Sequence, residues 1–134
     1  MDKQKKLLQI LNNNQEWPLM IQGVSARNFP NAVVIPATIP STELGLIPTI
    51  DGYQYPKWVM SILVKAKKAK RVLLCIDALD SIDKSEQEKF YGILKYKRLN
   101  GFKFPTGLQI IVTTKNCTDV SPKIASLLMA YQVV

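Results

Sequence analysis

Two short runs, RVLLCID (71–77) and LQIIVTT (108–114), constrain the fold of this chain more than any other feature in it. Neither alternates apolar with polar residues, as a strand does when one face meets water. Runs of this length that are mostly apolar and do not alternate read as strands covered on both faces, the condition of a parallel sheet with helices above and below it.

The neighbouring segments supply the rest of that pattern. KQKKLLQIL (3–11) sets Leu7, Leu8, Ile10 and Leu11 at helical spacing and ends at Asn12-Asn13-Asn14. PLMIQG (18–23) and NAVVIPA (31–37) are strand-like, the second rich in β-branched residues. Pro40, Gly45, Pro48, Gly52 and Pro56 then mark residues 38–56 as a long ordered loop, a type of segment that is often functional. A helix is expected from Pro56 to about Ala69, facing inward with Val59, Ile62, Leu63 and Ala66. Asp83 offers an N-cap, and Glu86 three residues on completes a capping box, for a helix from Lys84 to about Tyr96 that buries Phe90, Ile93 and Leu94. A last helix, about Ser121 to Met129, leads into AYQVV. Strands alternating with amphipathic helices predict one α/β domain over residues 1–134, three-layered, with a mainly parallel sheet of about five strands. At 134 residues and 47% apolar content the chain can bury a core of that kind.

Several function classes are excluded by inventory. The chain has no His, which removes Ser-His-Asp and Cys-His hydrolase mechanisms and the usual zinc sites. Its two cysteines, Cys75 and Cys117, are expected to be reduced residues in or beside strands. The apolar runs are far shorter than the roughly 20 residues that span a bilayer, so the expectation is a soluble, cytoplasmic protein with no membrane partner.

A net charge of +8 favours anionic partners, and the excess is uneven. Lys65, Lys67, Lys68, Lys70 and Arg71 form one basic group, and Lys95, Lys97 and Arg98 form another. Two readings stand for them: solvated helix ends whose lysines complement the helix dipole, or a nucleic-acid patch that tracks phosphates. Base stacking would further require exposed aromatics, for which Trp17, Tyr53, Tyr55 and Trp58 are the candidates.

Ligands of open parallel sheets bind beyond the carboxyl ends of the strands. Asp77 and the segment Thr113-Thr114-Lys115-Asn116 both fall at such ends, and they converge if their strands are neighbours. Asp77 itself admits two readings: a magnesium-holding acid, or the point where a buried strand reaches water.

From residue 40 onward the sequence resembles the core of AAA+ ATPases, most closely the MoxR-like branch. STELGLIPTIDGYQYPKWV (41–59) is similar to the segment before that branch's second helix. VLLCIDALDSID resembles a Walker B strand with its turn, LQIIVTTKN a strand ending in the sensor-1 Asn, and VSPKIASLL the helix that carries an arginine finger. The resemblance implies a P-loop NTPase-like fold, with Asp77 as the cofactor-binding and metal acid for Mg-ATP and Asn116 as the second cofactor-binding residue. The chain departs from the pattern elsewhere. Ala78 stands where the catalytic Glu would be, no Arg follows SPKI, and GVSARNFPN (23–31) has no Gly-Lys-Ser/Thr to cradle phosphate. Ser25 and Arg27 are the residues there with groups able to imitate it. The link between the first two strands is also too short for a P-loop helix. Since a parallel crossover normally takes a helix-length connection, either these strands are expected to pair antiparallel at a sheet edge or the first is not a core strand. The implied function is a catalytically inactive AAA+-like module, with no cofactor expected, that works through a protein partner or self-association. The alternatives are a nucleic-acid-binding accessory protein and a residual nucleotide binder.

Overall fold

The structure, a computed structural model, describes residues 3–13, 17–99 and 102–133. Helix α1 (Lys3–Asn13) leads to β1 (Leu19–Gln22), and a ten-residue link carries the chain to β2 (Val33–Pro36). A small hairpin follows, β3 (Ile47–Thr49) with β4 (Gly52–Gln54), then α2 (Lys57–Ala66) and β5 (Val72–Asp77). After the short helices α3 (Lys84–Gln87) and α4 (Tyr91–Tyr96) comes a second hairpin, β6 (Arg98–Leu99) with β7 (Phe102–Lys103). The chain closes with β8 (Leu108–Thr114), α5 (Pro122–Ala125) and β9 (Met129–Gln132).

Five strands form one sheet in the order β2-β5-β8-β1-β9, and every pairing in it is parallel. The fold is therefore α/β with a mainly parallel sheet, as the two apolar runs require. Those runs, β5 and β8, are neighbours in the interior of the sheet, with Leu74 opposite Ile110 and Ile76 opposite Val112. Alternate residues serve opposite faces. Leu74, Ile76, Ile110 and Val112 join the larger core beneath α2, α4 and α5, while Cys75 and Ile111 join Leu7, Leu11, Leu19 and Ile21 beneath α1. Helix α2 shows how the larger core is built. Trp58, Val59 and Ile62 recur at helical spacing and are buried, each burial worth roughly 1.5–3 kcal/mol.

The link between β1 and β2 corrects the expectation of an antiparallel edge pair or a non-core first strand. β1 lies between β8 and β9, parallel to both, and three strand intervals separate it from β2. Three intervals are about 14 Å, and returning along a four-residue strand adds about 13 Å, whereas ten extended residues reach about 33 Å. A helix is thus dispensable as a connector. The layer that such a helix would have filled is occupied by α1, together with Val24 and Phe29 from the link itself.

Other expectations also change. The helix foreseen over 84–96 is broken into α3, a 3-10 turn at Glu88–Phe90, and α4. Asp83 sits at the N-cap position, but its side chain makes no cap hydrogen bond, so the capping box is not formed. The helix foreseen over 121–129 ends at Ala125, and Met129–Gln132 instead adds a parallel edge strand to β1. The loop at 38–56 contains a 3-10 turn, Ser41–Glu43, and the β3–β4 hairpin.

Candidate functional site

Asp77 ends β5, and its neighbour across the sheet is the end of β8. Its Oδ1 accepts a hydrogen bond from the Thr113 hydroxyl at 2.8 Å and another from the Ala26 backbone N–H at 2.9 Å. The Thr113 oxygen in turn accepts from the Ala78 N–H at 2.9 Å. Ala78 adopts a left-handed conformation (φ 59°), which turns the chain sharply out of the strand. Further into the turn, Asp80 Oδ2 accepts from the N–H groups of both Lys115 and Asn116, at 3.0 and 2.9 Å. The two strand ends are thus tied together by two carboxylates and a hydroxyl.

Asn116 lies at the same end of the sheet and is exposed. Its side-chain oxygen accepts from the N–H and the hydroxyl of Thr118, at 3.1 and 2.7 Å, and so caps the 3-10 turn that follows. The neighbouring Cys117 N–H is held by Gln22 Oε1 from the end of β1.

The link after β1 occupies the position that a phosphate-binding loop would take. Such a loop must leave its backbone N–H groups free to surround the phosphate oxygens. Here the Gly23 N–H donates to Thr114 O at 3.0 Å, the Ser25 N–H to Asn28 Oδ1 at 3.0 Å, and the Ala26 N–H to Asp77. Arg27 lies on the 3-10 turn of the link. With those donors bonded inside the protein and Asp77 Oδ1 holding the link in place, the residues present do not fit a magnesium nucleotide.

Cys75, two residues before Asp77, faces the α1 side of the sheet. Burial, with the nearby Asp77 charge adding to it, pushes its thiol from the ordinary 9.0 up to about 12, so it is not a nucleophile near neutral pH.

The basic residues are gathered at the opposite, amino end. Lys67, Lys68, Lys70 and Arg71 lie between α2 and β5, and Lys95, Lys97 and Arg98 run from the end of α4 into β6. Gly107, just before β8, packs against the Lys70 backbone so closely that a Cβ there would sit 1.8 Å from Lys70 O. Lys65 donates to Asn31 O at 2.6 Å, and Lys97 to Leu108 O at 3.3 Å. Arg71 serves the fold. Its guanidinium donates to Asn12 Oδ1, Leu11 O and Gln109 Oε1, while Gln109 Nε2 also donates to Leu11 O at 3.0 Å. Together they satisfy a carbonyl in the last turn of α1, where a cation also complements the helix dipole. Of the aromatic candidates, Trp58 is buried and donates to Glu43 O at 2.8 Å, whereas Trp17 is 53% exposed and Tyr53 72%.

The expected convergence of Asp77 with the segment 113–116 is met, because β5 and β8 are neighbours and Thr113 bonds to Asp77, whereas the parts played by Asp80 and Gln22 are not evident in the sequence. The available signal was polarity at the end of an apolar run: Thr113 and Gln22 stand at the ends of their strands, where a side chain meets the next loop rather than a helix.

No protein-family model matches the sequence, and no curated protein matches it. Among solved structures it is similar to a DNA polymerase III gamma subunit-related protein from Thermotoga maritima, at 13% identity and a TM-score of 0.55. That match covers 99% of this chain and 46% of the other, so the chain spans less than half the length of the protein it matches. Sheet order and structural likeness together establish an α/β fold, built on a parallel five-stranded sheet, that this chain shares with that protein.

Proposed function

We propose that this chain is an AAA+-like domain that does not hydrolyse ATP and works by binding, as a protein-interaction or assembly module. The observation that carries this reading is that the strand-end groups are bonded to one another through Asp77, Thr113 and Ala26. Meanwhile the β3–β4 hairpin holds apolar side chains out in water: Ile50 at its tip is fully exposed, and Tyr53 is largely so. A lone two-stranded hairpin is marginal in water, and apolar groups displayed on one suit a docking role. The matched structure is of a protein named for a polymerase subunit, that is, for part of an assembly. The finer placement near the MoxR-like branch rests on the segment at 41–59 and the order of the motifs.

Two measurements test the reading. Titration calorimetry with ATP plus Mg²⁺ is expected to give no heat up to millimolar nucleotide, and sedimentation equilibrium is expected to show self-association that Ile50→Asp weakens at least tenfold. Micromolar nucleotide binding would overturn the inactive part. A monomer at all concentrations, with Ile50→Asp cross-linking in its source cells to the same proteins as the wild-type chain, would overturn the docking part.

A further inference from the structure

The net charge of this protein is concentrated at one end of the sheet. Among the described residues every Asp and Glu follows the carboxyl end of a strand: Glu43 and Asp51 after β2, the five between Asp77 and Glu88 at and beyond the end of β5, and Asp119 after β8. The sequence has no acid between Gly52 and Ile76, nor between Lys89 and Thr118. Half of its 18 Lys and Arg residues fall in the stretches 65–71 and 95–103, which lie at the amino end. The other nine cations nearly offset those eight acids, so the nine cations of the two amino-end stretches stand as the excess of positive charge.

A second observation lies at the same end. A groove of about 550 Å³ opens there, with Trp17, Tyr96, Leu94, Leu127, Lys95 and Lys97 in its lining. Tyr96 is 59% exposed, and with Trp17 it places two large aromatic surfaces in solvent beside cationic side chains. The Lys95 ammonium sits 5.4 Å from the centre of the Tyr96 ring and 5.3 Å from that of Tyr91, whose hydroxyl accepts its hydrogen bond and holds its pKa up. Positive charge is thus fixed next to an exposed ring.

We infer that this amino-end groove is a binding site for single-stranded nucleic acid, with Trp17 and Tyr96 stacking on bases and the surrounding lysines neutralising phosphates. Exposed aromatic faces beside a backbone-tracking cationic groove are what unpaired strands require. A duplex would engage the charge but leave both rings without a base to stack on. The inference is independent of the proposed assembly role, since the hairpin and this groove lie on different parts of the fold.

The test uses the whole chain and labelled dT15 and U15 oligonucleotides in fluorescence anisotropy, with a 15-base-pair duplex and heparin as base-stacked and base-free polyanions. Single strands should bind more tightly than the duplex, and engagement of about four phosphates would weaken binding about fiftyfold between 50 and 200 mM salt. Trp17→Ala and Tyr96→Ala should each weaken single-strand binding about tenfold while heparin binding stays unchanged. Lys84→Ala and Lys115→Ala, at the carboxyl end, should have no effect. Quenching of tryptophan emission by dT15 should disappear in Trp17→Ala, because Trp58 is buried. Equal loss of heparin and single-strand binding in the aromatic variants, or equal affinity for duplex and single strand, would overturn the site. An unchanged melting temperature in each variant keeps misfolding from imitating either outcome.

Discussion

The carboxylate of Asp77 and the hydroxyl of Thr113 meet at 2.8 Å across the ends of two adjacent parallel strands, and the backbone of Ala26 completes the junction from a third segment. Removing the carboxylate leaves the buried Thr113 hydroxyl and the half-buried Ala26 N–H without their acceptor. Asp77→Ala is expected to lower stability by about 2 kcal/mol, whereas Asp77→Asn, which keeps an acceptor oxygen, should cost less than about 1 kcal/mol. Urea denaturation of the three proteins measures this. A neutral Asp77→Ala would mean that the junction contributes nothing to the fold.

Arg71 and Lys68 are three residues apart in one basic run and have different roles. Arg71→Ala should cost about 1–2 kcal/mol, because Leu11 O and Gln109 lose a charged partner. Lys68→Ala should stay within about 0.5 kcal/mol, as exposed substitutions do. Arg71→Lys should recover little, since one ammonium cannot reach three acceptors as a planar guanidinium does. Thermal melts followed by circular dichroism separate the three.

Gly23 has φ 94°, and a Cβ there would lie 2.0 Å from the carbonyl oxygen of Val133, the residue after β9. Gly23→Ala therefore combines a left-handed backbone penalty of about 1–2 kcal/mol with a backbone collision. A loss of at least about 2 kcal/mol is expected, with faster amide exchange in residues 129–133. Full retention of stability would rule out the close approach of β9 to the end of β1.

Cys75 gives the pH dependence a definite sign. Its folded pKa, about 12, lies above the ordinary 9.0, so the folded protein holds the thiol proton more tightly than the unfolded chain does. That stabilisation is complete below pH 9 and is lost as pH rises from 9 towards 12, a total of about 4 kcal/mol and about 1.4 kcal/mol by pH 10. Between pH 8 and 10 the wild type should lose more stability than Cys75→Ala, which has no thiol to ionise. In the native protein at pH 8, iodoacetamide should modify the half-buried Cys117 and spare Cys75.

What could be read from the sequence follows from which signals are local. β5 and β8 announced themselves because burial on both faces demands a mostly apolar run without alternation, and Leu7, Leu11, Val59 and Ile62 because a helix that covers a sheet must repeat its apolar residues at helical spacing. The parallel α/β architecture follows from those constraints alone. β9 left no such trace: as an edge strand it is mostly exposed, and Met129–Gln132 has no apolar pattern of its own. The broken helix between 84 and 96 was equally hidden, because the apolar spacing of Phe90, Ile93 and Leu94 survives a change from α to 3-10 winding.

Strand order and the path of the ten-residue link were settled by tertiary packing, because α1 arrives from a distant part of the chain to cover the face that a crossover helix would otherwise fill. The same holds for the functional residues. The sequence by itself determined that no His and no Gly-Lys-Ser/Thr run is available and that the chain is strongly basic. Only the folded structure decided that Asp77 bonds to Ala26, 51 residues away, that Arg71 secures α1, and that Trp17 shares a groove with Tyr96 and Lys95. Residue inventory and periodicity are properties of neighbouring positions along the chain, whereas a carboxylate's partner or a ring's exposure depends on which segments the fold brings together.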